Sequence, residues 1–245
     1  GEHTLTSHCD PKGKMSALFR LYRAQAEQFF AIIRCELLPE ALVQLKKYAV
    51  FSKVTFTELD TPLFGVANAT ALANLSENAT VLVLSCAQKR AIVWGETLTT
   101  HGESALWDLA DIQDGLPILA KANQFELIPQ AANLQAVENA ISFTKGCYIG
   151  QETVARAKYR GANKRAMFIL VCNSEQTECP EAGQALEMQL GENWRASGTV
   201  LAAVHYQQQL WVQIVLNKEI EADTLFRFND TLLKICELPY TLEEA

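Results

Sequence analysis

The chain contains no Cys-x-x-Cys pair and no apolar run approaching the roughly 20 residues of a membrane-spanning helix. The longest apolar runs, residues 79–84 and 167–172, have the length of strands. Metal-ligand spacing is also missing. The four histidines fall far from any cysteine pair, His8–Cys9 excepted, which argues against a zinc site. The seven cysteines (9, 35, 86, 147, 172, 179 and 236) are odd in number and irregularly spaced, so no disulfide framework is expected. Reduced thiols of a cytoplasmic protein, mostly packed as small apolar side chains, are the simplest reading. Positive charge is scarce too. With 21 Lys and Arg against 28 Asp and Glu, the net charge is −7 and the pI about 5.2. That excludes a surface coated in positive charge, the usual form of a nonspecific nucleic-acid binder. There is no internal repeat or low-complexity tract, and Gly1 to Thr4 do not resemble a secretory leader. A strand over Thr4–His8 starts almost at once, so a further N-terminal portion is expected to precede it.

A chain of 245 residues, 49% hydrophobic and 20% charged, can bury one elaborate core or two modest ones. Asp10-Pro11-Lys12-Gly13 is a turn, because Pro presets φ and Gly accepts positive φ. Strands are expected over Met15–Tyr22, Gln28–Cys35, Val54–Leu59, Leu63–Ala67, Val81–Cys86 and Arg90–Trp94. Helices are expected from Leu38 to about Tyr48, over Thr70–Leu75 and over Glu103–Ile112. The short links favour an α+β body over a parallel doubly wound sheet. Residues 118–140 carry little pattern. Beyond residue 165 come short strands at regular spacing: Met167–Cys172, Ala185–Gln189, Ser197–Val204, Gln209–Leu216 and Leu225–Arg227. These suggest a small β-barrel or sandwich. The expected division is an α+β body over 1–165 and a β-barrel over 166–245.

The stretch FTKGCYIGQETVARAKYRG, residues 143–161, differs from its acidic surroundings. Ile149–Tyr159 has helical composition, with Glu152 and Arg156 as an i,i+4 pair and Gly161 as a stop. Cys147 then falls just before the helix N-terminus and two residues from Lys145, where a thiolate is favoured. Two readings stand side by side: a packed structural thiol, or a reactive one at a ligand site. The basic run Arg156, Lys158, Arg160, Lys164 and Arg165 is either a solvated face or a site for an anion such as a polyglutamate tail, a phosphate backbone or a nucleotide. Trp107 is either a core ring or a stacking wall for a flat heterocycle.

Lys145-Gly146-Cys147-Tyr148-Ile149-Gly150-Gln151-Glu152 resembles the K-G-C-Y-x-G-Q-E signature of the YgfZ-type folate-binding proteins, a family associated with tRNA modification. The stretches 8–14 (HCDPKGK), 125–135 (FELIPQAANLQ), 154–165 (VARAKYRGANKR) and 191–204 (GENWRASGTVLAAV) carry the same resemblance, which spans essentially the whole chain. It implies a ring-like, three-subdomain fold similar to glycine-cleavage aminomethyltransferase, with two interwoven subdomains and a C-terminal β-barrel. It implies tetrahydrofolate as ligand, held by Trp107 and Gln113, with Tyr148, Gln151 and Glu152 setting the loop and Arg156, Lys158 and Arg165 attracting the glutamate tail. Lys145 and Cys147 would be the working pair. The implied role is that of an accessory protein for iron–sulfur enzymes such as a tRNA methylthiotransferase, with a link to control of replication initiation. A cytoplasmic monomer is expected. Competing readings are a folate-dependent one-carbon (aminomethyl-type) transferase and a module contacting tRNA directly. Two features depart from the pattern. Family members begin with further residues, including a strand and usually a tryptophan used in folate binding. And where the aminomethyltransferases carry R-x-E-A-G-L, this chain reads Asp111-Ile112-Gln113-Asp114-Gly115-Leu116, so Gln113 replaces a folate-binding acid.

Overall fold

The structure, a computed structural model, describes residues 2–138 and 140–242. Strands β1 (His3–Cys9), β2 (Met15–Gln25) and β3 (Gln28–Ile33) form an antiparallel sheet in chain order. The turn between β1 and β2 is built by Asp10, whose carboxylate accepts the backbone N–H groups of Lys12 and Lys14 at 2.9 and 2.8 Å. Helix α1 (Leu38–Ala49) starts with Pro39 in its first turn and lies on β2. A second antiparallel sheet pairs β4 (Phe64–Val66) and β5 (Thr80–Val83) on either side of β6 (Ala91–Trp94). Helix α2 (Ala69–Ala73) is capped by the Asn68 side chain, and α3 (Ser104–Gln113) leads out of this region.

Among the described residues every strand pair is antiparallel, in keeping with an α+β body. One expected strand does not form. Residues 54–59 are irregular and surface-lying, with Val54 and Leu59 both more than half exposed. Their alternation asks for a neighbouring edge, and among the described residues none pairs with it. Alternation marks a pattern that suits a strand but does not supply the partner.

The segment 118–140, which carries little sequence pattern, contributes the centre of the largest core. Leu119, Leu127, Ala131 and Leu134 are almost wholly enclosed, packed with Met15, Leu37, Met167 and Leu201. Buried side-chain amides stand in for the missing ladders. Asn133 donates to the Met167 carbonyl (2.7 Å) and accepts from its N–H (2.9 Å). Gln213 accepts from the Ile118 N–H (3.0 Å) and donates to the Leu116 carbonyl (2.6 Å). Each leaves backbone polar groups satisfied inside an apolar core, where an unpaired group would cost about 1–3 kcal/mol. A buried pair does similar duty at the segment's end, where Arg20 donates to both oxygens of Glu138 at 2.7 and 2.9 Å.

The C-terminal sheet has seven strands: β7 (Arg165–Asn173), β8 (Leu186–Leu190), β9 (Asn193–Ser197), β10 (Thr199–Tyr206), β11 (Gln209–Asn217), β12 (Leu225–Phe228) and β13 (Thr231–Cys236). Their order is β10-β11-β7-β13-β12-β8-β9, so β9 and β10 are opposite edges of the sheet. Only Gly198 separates them in the chain. Two edges joined by one residue must meet, and the sheet therefore curls. Closure is reinforced where β10 exchanges hydrogen bonds with the segment before β8: Val200 N–H to the Gln184 carbonyl and Gly183 N–H to the Val200 carbonyl, both 2.8 Å. The curl encloses Leu170, Val212, Ile214, Phe226 and Leu233. The single strand expected over Ser197–Val204 is thus split at the corner, and β13 adds a strand that the sequence pattern did not reveal.

Candidate functional site

Helix α4 (Gln151–Tyr159) follows the loop 145–150, as its composition predicts. The Asp10–Lys14 turn locks against the start of this helix. Gly150 has φ +80° and Gly13 φ +76°, and the two backbones touch. A methyl group on Gly150 would lie 2.6 Å from the Asp10 carbonyl oxygen and 2.8 Å from Gly13 Cα. One on Gly13 would lie 2.7 Å from Thr153 Cβ. Only glycine fits both the conformation and the approach. Two sequence stretches more than 130 residues apart, HCDPKGK and KGCYIGQE, therefore meet at a glycine–glycine contact.

Behind this contact lies a cavity of about 300 Å³, whose walls include Ser7, His8, Cys9, Ile141, Lys145 and Tyr148. Its polar groups are neutral apart from one. Burial pushes the Cys9 thiol up to about 11 and lowers the His8 imidazole below its usual value, so both are uncharged at neutral pH. His8 Nδ1 is 2.8 Å from the Ser16 hydroxyl, which fixes the ring. Burial also raises the Tyr148 phenol, which stays protonated and able to donate. Lys145 brings the charge, with its Nζ 4.6 Å from the centre of the Tyr148 ring. An uncharged, hydrogen-bonding wall with one ammonium suits a polar heterocycle or a single anionic group. Cys147 is exposed, in the loop between Lys145 and the cavity-lining Tyr148.

The other nominated residues divide into two groups. Trp107 and Gln113 lie on α3, away from the residues lining this cavity. Trp107 is half-buried, packed on Gly65, and has the Arg90 guanidinium 4.6 Å from its ring centre. Arg90 is fully buried and paired with Asp111 (2.7 Å) and Asp114 (2.9 Å). Gln113 accepts a hydrogen bond from Gln88 (3.1 Å). Trp107 and the cavity's Cys9 and Ile141 nonetheless pack on one apolar cluster. Along α4, Arg156 is paired with Glu152, both well exposed. Gln151 opens the helix with its N–H on the Tyr148 carbonyl at 3.2 Å. Lys158 Nζ sits 4.0 Å from the Phe143 ring centre. Arg165 begins β7 beside Lys14, whose ammonium is lowered by burial and then by that neighbouring charge.

Sequence reasoning did not nominate Ser7, His8, Cys9 or Ser142 as wall residues, nor Phe143 and Tyr159 as surface rings. The available signals were the HCDPKGK stretch, weighed mainly as a turn, and the Phe143 that opens the basic segment.

Comparison with known proteins gives a consistent result. The family model described as YgfZ, beta-barrel domain, matches residues 163–231. A Haemophilus influenzae protein described as uncharacterized is 49% identical over all of this chain and 87% of its own length. The tRNA-modifying protein YgfZ of Yersinia pseudotuberculosis is 43% identical, covering 99% of this chain and 82% of the relative. Among solved structures, the glycine cleavage system aminomethyltransferase T from Bartonella henselae superposes with a TM-score of 0.74 at 12% identity, over 98% of this chain and 76% of that one, which establishes the shared fold.

Proposed function

The chain belongs to the YgfZ family, and from that membership we propose that it supports tRNA modification as a folate-binding accessory protein. The observation that carries this is the interlock of the HCDPKGK turn with the KGCYIGQE loop, which sets Lys145 and Tyr148 in a cavity wall beside an exposed thiol. A cavity of about 300 Å³ is at the lower limit for a drug-sized ligand. That volume suits the heterocyclic part of tetrahydrofolate and leaves the glutamate tail outside, with Lys145 as the cation that the wall supplies.

The residues fit such a group in kind. The neutral side chains of His8, Cys9 and Tyr148 suit a polar heterocycle and Lys145 supplies a cation for a carboxylate, whereas Trp107 and Gln113 lie on α3 outside this wall. Tetrahydrofolate, when bound, supplies a carrier for a one-carbon unit. The chain's own contribution is to hold it, to keep His8, Cys9 and Tyr148 uncharged around it, and to present Cys147 at the surface. In the finer reading, the beneficiaries are iron–sulfur enzymes, a tRNA methylthiotransferase among them, and an effect on replication initiation follows from that support. Gln113 in place of an acid weighs against simple retention of aminomethyl transfer.

Titration with tetrahydrofolate tests the binding. Affinity should fall in Lys145→Met, and if this variant binds as the parent does the assignment is wrong; a fall in Trp107→Ala with Lys145→Met unchanged would instead put the ligand against α3. The thiol is tested in a strain lacking the protein. Cys147→Ser should fail to restore methylthiolated tRNA, and full restoration would remove the sulfur from the mechanism.

A further inference from the structure

Three aromatic rings interleaved with cations lie along the loop 143–148 and the end of α4, and the folate reading leaves the outer ones without a role. The Phe143 and Tyr159 rings meet edge to face with centres 6.0 Å apart. Lys158 Nζ lies 4.0 Å from the Phe143 ring centre and 5.9 Å from that of Tyr159. Lys145 Nζ lies 4.6 Å from the Tyr148 ring centre. Val154 and Ala157 point into the core, whereas Lys158, Tyr159, Arg160 and Lys164 face solvent, and Tyr159 is 68% exposed.

Residues 145–165 hold six cations and one carboxylate, a local balance of +5 in a chain of −7. That carboxylate, Glu152, is taken by Arg156. Among the described residues, Lys145, Lys158, Arg160, Lys164 and Arg165 have no carboxylate partner. A merely solvated face has no use for an exposed tyrosine set among unpaired cations. The combination asks for a partner that brings several anions and flat faces at once. A polyglutamate tail has the anions without the rings. A duplex has phosphates but keeps its bases stacked inside. An unpaired nucleic-acid strand has both.

We propose that this surface binds single-stranded RNA, such as the loop of a folded RNA. Tyr159 stacks on an unpaired base, with Phe143 and Lys158 supporting its ring, while Arg160 and Lys164 take phosphates. The choice of RNA rests on the tRNA-modification reading above; the surface itself asks only for unpaired bases and phosphates.

Fluorescence anisotropy of the intact protein tests this, with a short unstructured RNA, unfractionated tRNA and a duplex RNA of matched length as probes. Single-stranded RNA and tRNA should bind, and the duplex weakly. Three to five contacted phosphates correspond to a slope of log K against log salt of about −2 to −3.5. Tyr159→Ala should lower affinity about 5- to 100-fold with that slope unchanged, and Tyr159→Phe should restore it. The double variant Arg160→Gln/Lys164→Gln should reduce the slope by about 1.4. All these side chains are exposed, so melting curves should not move. The proposal is overturned by an absence of binding at low salt, by Tyr159→Ala binding as the parent does, or by equal affinity for the duplex. If RNA binding fails while tRNA modification in cells still depends on the protein, only this proposal falls. If modification is independent of the protein while RNA still binds in this manner, only the earlier reading falls.

Discussion

Replacing Gly150 by alanine tests the contact that joins the two halves of the site. Gly150 sits at φ +80°, where a residue with a Cβ costs about 1–2 kcal/mol more than glycine. The new methyl would meet the Asp10 carbonyl oxygen at 2.6 Å and Gly13 Cα at 2.8 Å. Both are backbone atoms of a turn pinned by Asp10, so neither can rotate away as a side chain would. Overpacking of this kind adds about 1–3 kcal/mol. The sum, about 2–5 kcal/mol, corresponds in a chain of this size to a fall in Tm of roughly 4–20 °C. Thermal melts followed by circular dichroism would measure it. Gly146→Ala is the control, because a methyl there meets nothing within 4 Å. It should stay within about 0.5 kcal/mol of the parent. An unchanged melt for Gly150→Ala, or an equal loss for Gly146→Ala, would refute the interlock and with it the account of how the loop is held.

Asn133→Ala should destabilise by about 2–5 kcal/mol in urea unfolding, since it strands the Met167 N–H and carbonyl in the core; a loss below 1 kcal/mol would argue that the amide is dispensable. Iodoacetamide at mildly alkaline pH, mapped by mass spectrometry, should label the exposed Cys147 and Cys35 first and leave Cys9 unmodified, because Cys9 is buried and its thiol stays protonated until about pH 11. Early labelling of Cys9 would contradict its position in the wall. His8 is lowered by burial, so the unfolded chain binds a proton that the folded chain refuses. Its contribution to stability is present above the unfolded value near 6.5 and is lost as pH falls through that value towards the lower folded one. His8→Gln should therefore flatten the decline of Tm below pH 6.5 relative to the parent, and parallel curves would show that the ring titrates freely.

Much of the local structure was legible in one dimension. The helix after the cysteine followed from composition and an i,i+4 pair, the turn at Asp10 from turn chemistry, and the curled C-terminal sheet from strand lengths and spacing. The eight residues from Lys145 to Glu152 are specific enough by themselves to suggest a family. These are near-neighbour properties, set by a residue and the few beside it.

What one dimension could not decide was which distant segments meet. Residues 54–59 have the alternation of a strand, yet pairing needs an edge, and an edge is a tertiary fact. The segment 118–140 shows little periodicity, yet it supplies the buried centre, because amides of Asn133 and Gln213 supply hydrogen bonds that no pattern announces. The wall formed by Ser7, His8 and Cys9 arises where a β-turn at one end of the chain presses its glycine on another glycine near residue 150. The sequence by itself determined what chemistry the chain carries in each short stretch. Packing alone decided which stretches share a surface, since contact free energy depends on distance through space, and chain separation does not report it.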